Sequence, residues 1–153
     1  MIHLKEEEVP LILSNVPEGM DALVLCETAK ELENGQSILH IARDDIRMEN
    51  MAELAAYFAP DVEVITFPAW DCLPYDRVSP NPDILARRMT SLIKIISASK
   101  KQIIISTINA VTQLIPARDT VKSAGFKANV GDDLDINALT DYLSHNGYSR
   151  AST

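Results

Sequence analysis

"SILHIARDDIRMENMAELAAYFAPDVEVITF", residues 37–67, holds the fold in miniature. Ser37–Ala42 is a short apolar run of the kind that forms a buried strand. Asp44 and Asp45 follow, and such side chains accept bonds from the free N–H groups at a helix start. Met51, Leu54, Ala55 and Phe58 then recur at helical spacing until Pro60 closes the helix. Val62–Phe67 is β-branched and strand-like again. A strand, a helix of this length and a second strand read as a crossover onto a parallel sheet.

The pattern continues on both sides. Upstream, Ala22, Cys26, Ala29 and Leu32 mark one face of a helix over residues 18–34, with Gly35 as its stop. Downstream comes "FPAWDCLPYDRVSPNPD" (Phe67–Asp83), which holds the only Trp and four of the eight prolines. Proline fixes φ and lacks an N–H, so this stretch is a stiffened connection and not a helix interior or central strand. Its aromatic rings, Trp70 and Tyr75, are expected to be largely buried over the strand ends. Asn81 and Pro82 open a third helix as N-cap and first residue, with Leu85, Met89, Leu92, Ile93 and Ile96 along one stripe. "QIIIST" (Gln102–Thr107) is a third buried strand, and a short helix should run through Leu114 and Ile115 to Pro116. The whole reads as an α/β domain, a three-layer arrangement of helices around a parallel sheet. After Pro116 the texture changes, with "FKANV" (Phe126–Val130), an acidic turn, and a helix Ile136–Asn146 capped by Asp135. We place the α/β domain at 1–118 and the opening of a small second α+β module at 119–153.

With 153 residues, 46% hydrophobic and 24% charged, the chain is long enough to bury a core. A net charge of −8 argues against bulk nucleic-acid binding, which needs clustered Lys and Arg. The charge is uneven. Residues 1–35 are acidic, whereas residues 77–101 hold Arg77, Arg87, Arg88, Lys94, Lys100 and Lys101 against Asp83 alone. The plain reading is two solvated faces of opposite sign, and the alternative makes Arg87, Arg88 and Lys94 a candidate contact surface for an acidic partner. Cys26 and Cys72 share no metal-ligand spacing with His3, His40 or His145, and are expected to be reduced thiols in a cytoplasmic protein. No apolar run approaches the length of a membrane span.

An α/β sheet invites a nucleotide, but no Gly here belongs to a phosphate-binding loop. The first strand instead ends in Arg43-Asp44-Asp45. One reading of these acids is a Mg²⁺-dependent phosphoacceptor or hydrolase site built from Asp44, Asp45 and Asp71 near Ser106 and Thr107. The other is that Asp44 and Asp45 cap a helix and favour its dipole.

The loop and the helix after it, "FPAWDCLPYDRVSPNPDILARRMTSL" (Phe67–Leu92), closely resemble the N-terminal module of the bacterial transcription-repair coupling factor (Mfd) family. The matching positions are Trp70, Asp71, Leu73, Pro74, Tyr75, Asp76, Ser79 and Pro80, then Arg88 and Leu92. Weaker similarity lies in Ile103–Pro116 and Leu139–Arg150. The resemblance implies a degenerate RecA- or helicase-like fold, akin to the repair protein UvrB but without its phosphate-binding loop or DNA-gripping hairpin. It implies no catalytic, metal or cofactor site in this chain, with ATP and Mg²⁺ bound by downstream modules of a longer bacterial protein. In nucleotide excision repair the implied role is a scaffold that helps recruit UvrA through the second module, incomplete here. RNA polymerase and DNA would be reached only through regions beyond Thr153.

Overall fold

The computed structural model describes residues 12–17, 19–72, 77, 79–124, 130–131 and 133–145. Its elements are α1 (Met20–Lys30), β1 (Ser37–Ala42), α2 (Asp45–Phe58), β2 (Glu63–Phe67), α3 (Pro82–Ile96), β3 (Gln102–Thr107), α4 (Ile108–Val111), α5 (Arg118–Ala124) and α6 (Ile136–His145). The three strands form a parallel sheet in the order β1-β3-β2. This is the α/β architecture expected of a small UvrB-like domain.

The chain crosses from β1 over β3 to β2 and then steps back to β3. Crossovers of one hand that run in opposite directions place their helices on opposite faces. Accordingly α2, with α1 beside it, covers one face, while α3 and α5 lie on the other. The larger core packs Met48, Met51 and Ala55 of α2 against Ile103 and Ile105 of β3. Ala22, Cys26 and Ala29 of α1 join it. Small side chains there let the two helices approach closely, and burial raises the pKa of the Cys26 thiol. The smaller core holds Phe67, Leu92, Ala110 and Val121, with Met89, Ile93 and Ile96 packed against it.

Local chemistry sets the helix starts. Asp44 accepts from the Arg47 N–H at 2.8 Å, and Asn81 accepts from the Asp83 N–H at 2.9 Å, with Pro82 at the first helical position. Asp135 caps α6 through the Asn137 and Ala138 amides.

Three details differ from the sequence expectation. Helix α1 ends at Lys30, so Gly35 is no helix stop. With φ of 86° it turns the chain into β1 while its N–H donates to the Lys100 carbonyl. Helix α4 ends at Val111, leaving Leu114 95% exposed. The packed body also runs past residue 118, because α5 buries Val121 against the α3 side. Most of the expected Phe126–Val130 element lies outside the described residues.

Candidate functional site

The carboxyl end of the sheet is where α/β folds place ligands, outside the strand ends and at helix N-termini. Helices α1, α2, α3 and α4 all begin there, and the starts of α1 and α2 are filled by carboxylates. Asp21, in the first turn of α1, accepts from the Ala22 N–H and pairs with Arg47 at 2.5 Å. Asp44 closes α2, and Arg43 Nε donates to it at 2.9 Å. The Arg47 amide and the Arg43 side chain together hold the Asp44 carboxyl below its usual range. An open cleft of about 530 Å³ lies between these groups, floored by Pro17 and Ile46. Fixed negative charge at both N-termini opposes a phosphate, which would need the same amides.

His40 sits half-buried beside this cleft on the α2 side of β1. Burial lowers its pKa, the nearby Asp21 carboxylate opposes that shift and Arg47 adds to it. A base with a depressed folded pKa takes up protons preferentially when unfolded. Its stabilising effect is therefore complete above the unfolded value, about 6.5, and is lost as pH falls. Stability should decline between about pH 7 and 5 and should decline less in His40→Gln. Urea midpoints across that range check this, and equal slopes in the two proteins would count against it.

Asp44, Asp45 and Asp71 do not form a metal centre. Among the described residues no three His, Cys, Asp or Glu come together to hold an ion. Asp71 instead accepts from the Asn81 N–H at 3.2 Å and 3.3 Å, tying the loop to the start of α3. Ser106 Oγ is engaged with the Phe67 carbonyl at 2.8 Å. Thr107, 2% exposed, buries its hydroxyl without a partner among the described residues. A buried unsatisfied hydroxyl is costly, so the isosteric Thr107→Val should stabilise the fold by about 1 kcal/mol. Destabilisation on urea unfolding would reveal a partner for that oxygen.

The proline-rich loop is organised around Arg88. This side chain is 2% exposed, the largest among the fully buried ones. Its guanidinium carbon lies 4.3 Å from the Phe67 ring centroid and 4.4 Å from that of Trp70. Nη1 donates to the Pro68 carbonyl at 2.6 Å and to Gln113 Oε1 at 3.2 Å. Gln113 Oε1 also accepts from the Trp70 N–H at 2.9 Å. One planar cation thus fastens the loop to α3 and to the residues after α4. Burial lowers the pKa of Arg88.

Arg88 is consequently not part of an interaction surface with Arg87 and Lys94. Those two are exposed and internally paired, Arg87 with Glu49 at 2.8 Å and Lys94 with Glu63 at 4.0 Å. Trp70 is half-buried, less than expected, with one face of its ring against the guanidinium. Ser79 is exposed and Pro80 half-buried. Leu73, Pro74, Tyr75 and Asp76 lie outside the described residues. The signal for Arg88 was present, since it lies three residues after Leu85 and four before Leu92 on the apolar stripe. Gln113 carried none.

No protein-family profile matches the chain. Among curated proteins it is 30% identical over 100 residues to a transcription-repair-coupling factor of Rickettsia bellii, covering 65% of this chain and 9% of that protein. It is 28% identical over 137 residues to the transcription-repair-coupling factor of Haemophilus influenzae, covering 90% of this chain and 12% of that one. The chain is a relative of the transcription-repair-coupling factors. It spans about a tenth of the length of the coupling factors it matches. Among its described residues, no helix is long and apolar enough to cross a membrane.

Proposed function

We propose that this chain acts as a non-catalytic scaffold within a transcription-repair coupling factor, helping to bring UvrA to stalled RNA polymerase in nucleotide excision repair. The observation that carries the reading is similarity to a coupling factor over 90% of the chain. What supports the absence of catalysis is chemical. Carboxylates of Asp21 and Asp44 occupy the helix starts where a nucleotide phosphate would bind, and the candidate acids are used in capping and loop contacts.

The test is capture of UvrA by the natural full-length polypeptide and by the 153-residue chain, measured as equilibrium affinity. The full-length protein should bind, and the shorter chain should bind roughly tenfold more weakly or worse, because it spans only about a tenth of the coupling factors it matches. The shorter chain should also show no saturable binding of a fluorescent ATP analogue. Failure of the full-length protein to bind UvrA would overturn the reading. Equal affinities would move the docking site onto the α/β half, where Arg87 and Lys94 would be substituted first.

A further inference from the structure

Beside the apolar stripe of α3, Arg87, Ser91 and Lys94 recur at intervals of four and three residues, which aligns them along one side of the helix. All three side chains turn to β2. The phase of the β2–β3 ladder fixes what that strand offers them. The Glu63 N–H donates to the Lys101 carbonyl at 3.0 Å. In a parallel ladder alternate residues bond to the same neighbour. Glu63, Ile65 and Phe67 therefore face β3, while Val64 and Thr66 turn their N–H and C=O away from it. Ser91 Oγ lies 2.7 Å from the Thr66 carbonyl and 2.8 Å from that of Arg87. Ser91 is buried, and its one proton reaches the outward carbonyl that a further strand would need.

Arg87 goes further. Thr66 shares a strand face with Val64, which packs against the core beneath α2, whereas Phe67 lies in the smaller core beneath α3. The Arg87 side chain starts from α3, yet Nη2 donates to Glu49 of α2 at 2.8 Å and sits 3.5 Å from Thr66 Oγ1. A side chain that joins helices on opposite faces has to pass around the sheet, and it does so at Thr66. Lys94 and Glu63, 4.0 Å apart, close the beginning of the strand. The Arg87–Glu49 pair is about half exposed on both sides, and so exposed a pair adds little to stability. What distinguishes it is its position at the margin of β2.

We propose that Arg87, Ser91 and Lys94 form a guard along β2 that keeps the strand from pairing with a second copy of this chain. A strand margin is a template for such pairing, and charged side chains are one of the means by which proteins block it. β2 is otherwise suited to the contact. Its sequence, EVITF, is rich in β-branched residues and has neither Pro nor Gly. Two copies related by a two-fold axis can exchange the peptide groups of Val64 and Thr66. The guard accounts for basic side chains at 87 and 94 of an acidic chain without an acidic partner. It does not depend on the coupling-factor reading.

Sedimentation equilibrium of the 153-residue chain tests this, with hydrogen exchange to locate the contact. Arg87→Ala should self-associate at least about tenfold more tightly than the parent, and Arg87→Ala combined with Ser91→Ala more tightly still. At high concentration the Val64 and Thr66 amides of these variants should exchange about tenfold more slowly than in dilute solution. Loss of Arg87 takes the net charge from −8 to −9, one positive charge fewer, so a general charge effect would weaken association. Arg87→Lys keeps a cation at the margin and should stay close to the parent. Arg87 is exposed, so Arg87→Ala should leave the urea midpoint unchanged and report on the strand margin alone. Arg87→Ala that associates no more than the parent would overturn the proposal. So would association that leaves exchange at Val64 and Thr66 unaltered.

Discussion

Arg88→Ala should destabilise the fold by about 3–4 kcal/mol, the loss typical of a large buried side chain cut back to Cβ in a packed site. The guanidinium is flat, desolvated and enclosed by the Phe67 and Trp70 rings at 4.3 Å and 4.4 Å. Cation–π attraction is strongest under such conditions. Truncation would leave a gap between two rings, deprive the Pro68 carbonyl of its charged donor and release the loop from α3. Arg88→Lys keeps the charge but not the plane, and an ammonium cannot lie against both rings while reaching Pro68 and Gln113. It should lose about half as much as alanine. Arg88→Met keeps most of the volume and escapes the cost of burying a charge, so it should also lose less than alanine. Trp70 is the only tryptophan, so its emission during urea unfolding reports directly on this cluster. A loss below about 1 kcal/mol for Arg88→Ala would mean that the rings hold their places without the cation.

The same residue shows where the sequence was legible. Strands β1, β2 and β3 and the starts of α2 and α3 could be read because their signals are local, as apolar runs, an Asp or Asn cap, or a Pro at the first helical position. Arg88 sits in a basic run and looks like surface charge, although it lies one helical turn before the buried Leu92; Leu85, on the same apolar pattern, is 46% exposed. Its partners come from two other segments, and Gln113 is recruited by an amide oxygen that no local pattern marks. Helix α5 was missed for a related reason. Its seven residues have little helical strength of their own and are held by Val121 against the α3 side. The acids near the cleft were read two ways from sequence, as ligands or as caps. The capping role of Asp44 was correct because it needs only the Arg47 amide three residues on, whereas a metal site needs three segments to converge.

Leu39 and Ile41 of β1 are 54% and 48% exposed on the face away from α2, and that face bears on the neighbouring β3 and on the second large expected effect. "QIIIST" reads as buried throughout, yet its isoleucines are unequal. Ile105 is 0% exposed in the core beneath α2. Ile104 points to the other face, where α3 packs along β2 and not β1, and it is only half-buried. Ile105→Ala removes three carbons from a filled core and leaves a cavity that the rigid sheet and helix cannot close. It should cost about 3–4 kcal/mol. Ile104→Ala removes the same atoms where water already reaches part of the side chain. It should cost about 1–2 kcal/mol, since less apolar surface is returned to solvent. Chemical identity and a shared backbone make the difference between the two a measure of packing alone. Urea unfolding of both variants of the 153-residue chain supplies it. Equal losses would mean that the two faces of β3 are packed alike and that Leu39 and Ile41 do not border an uncovered surface.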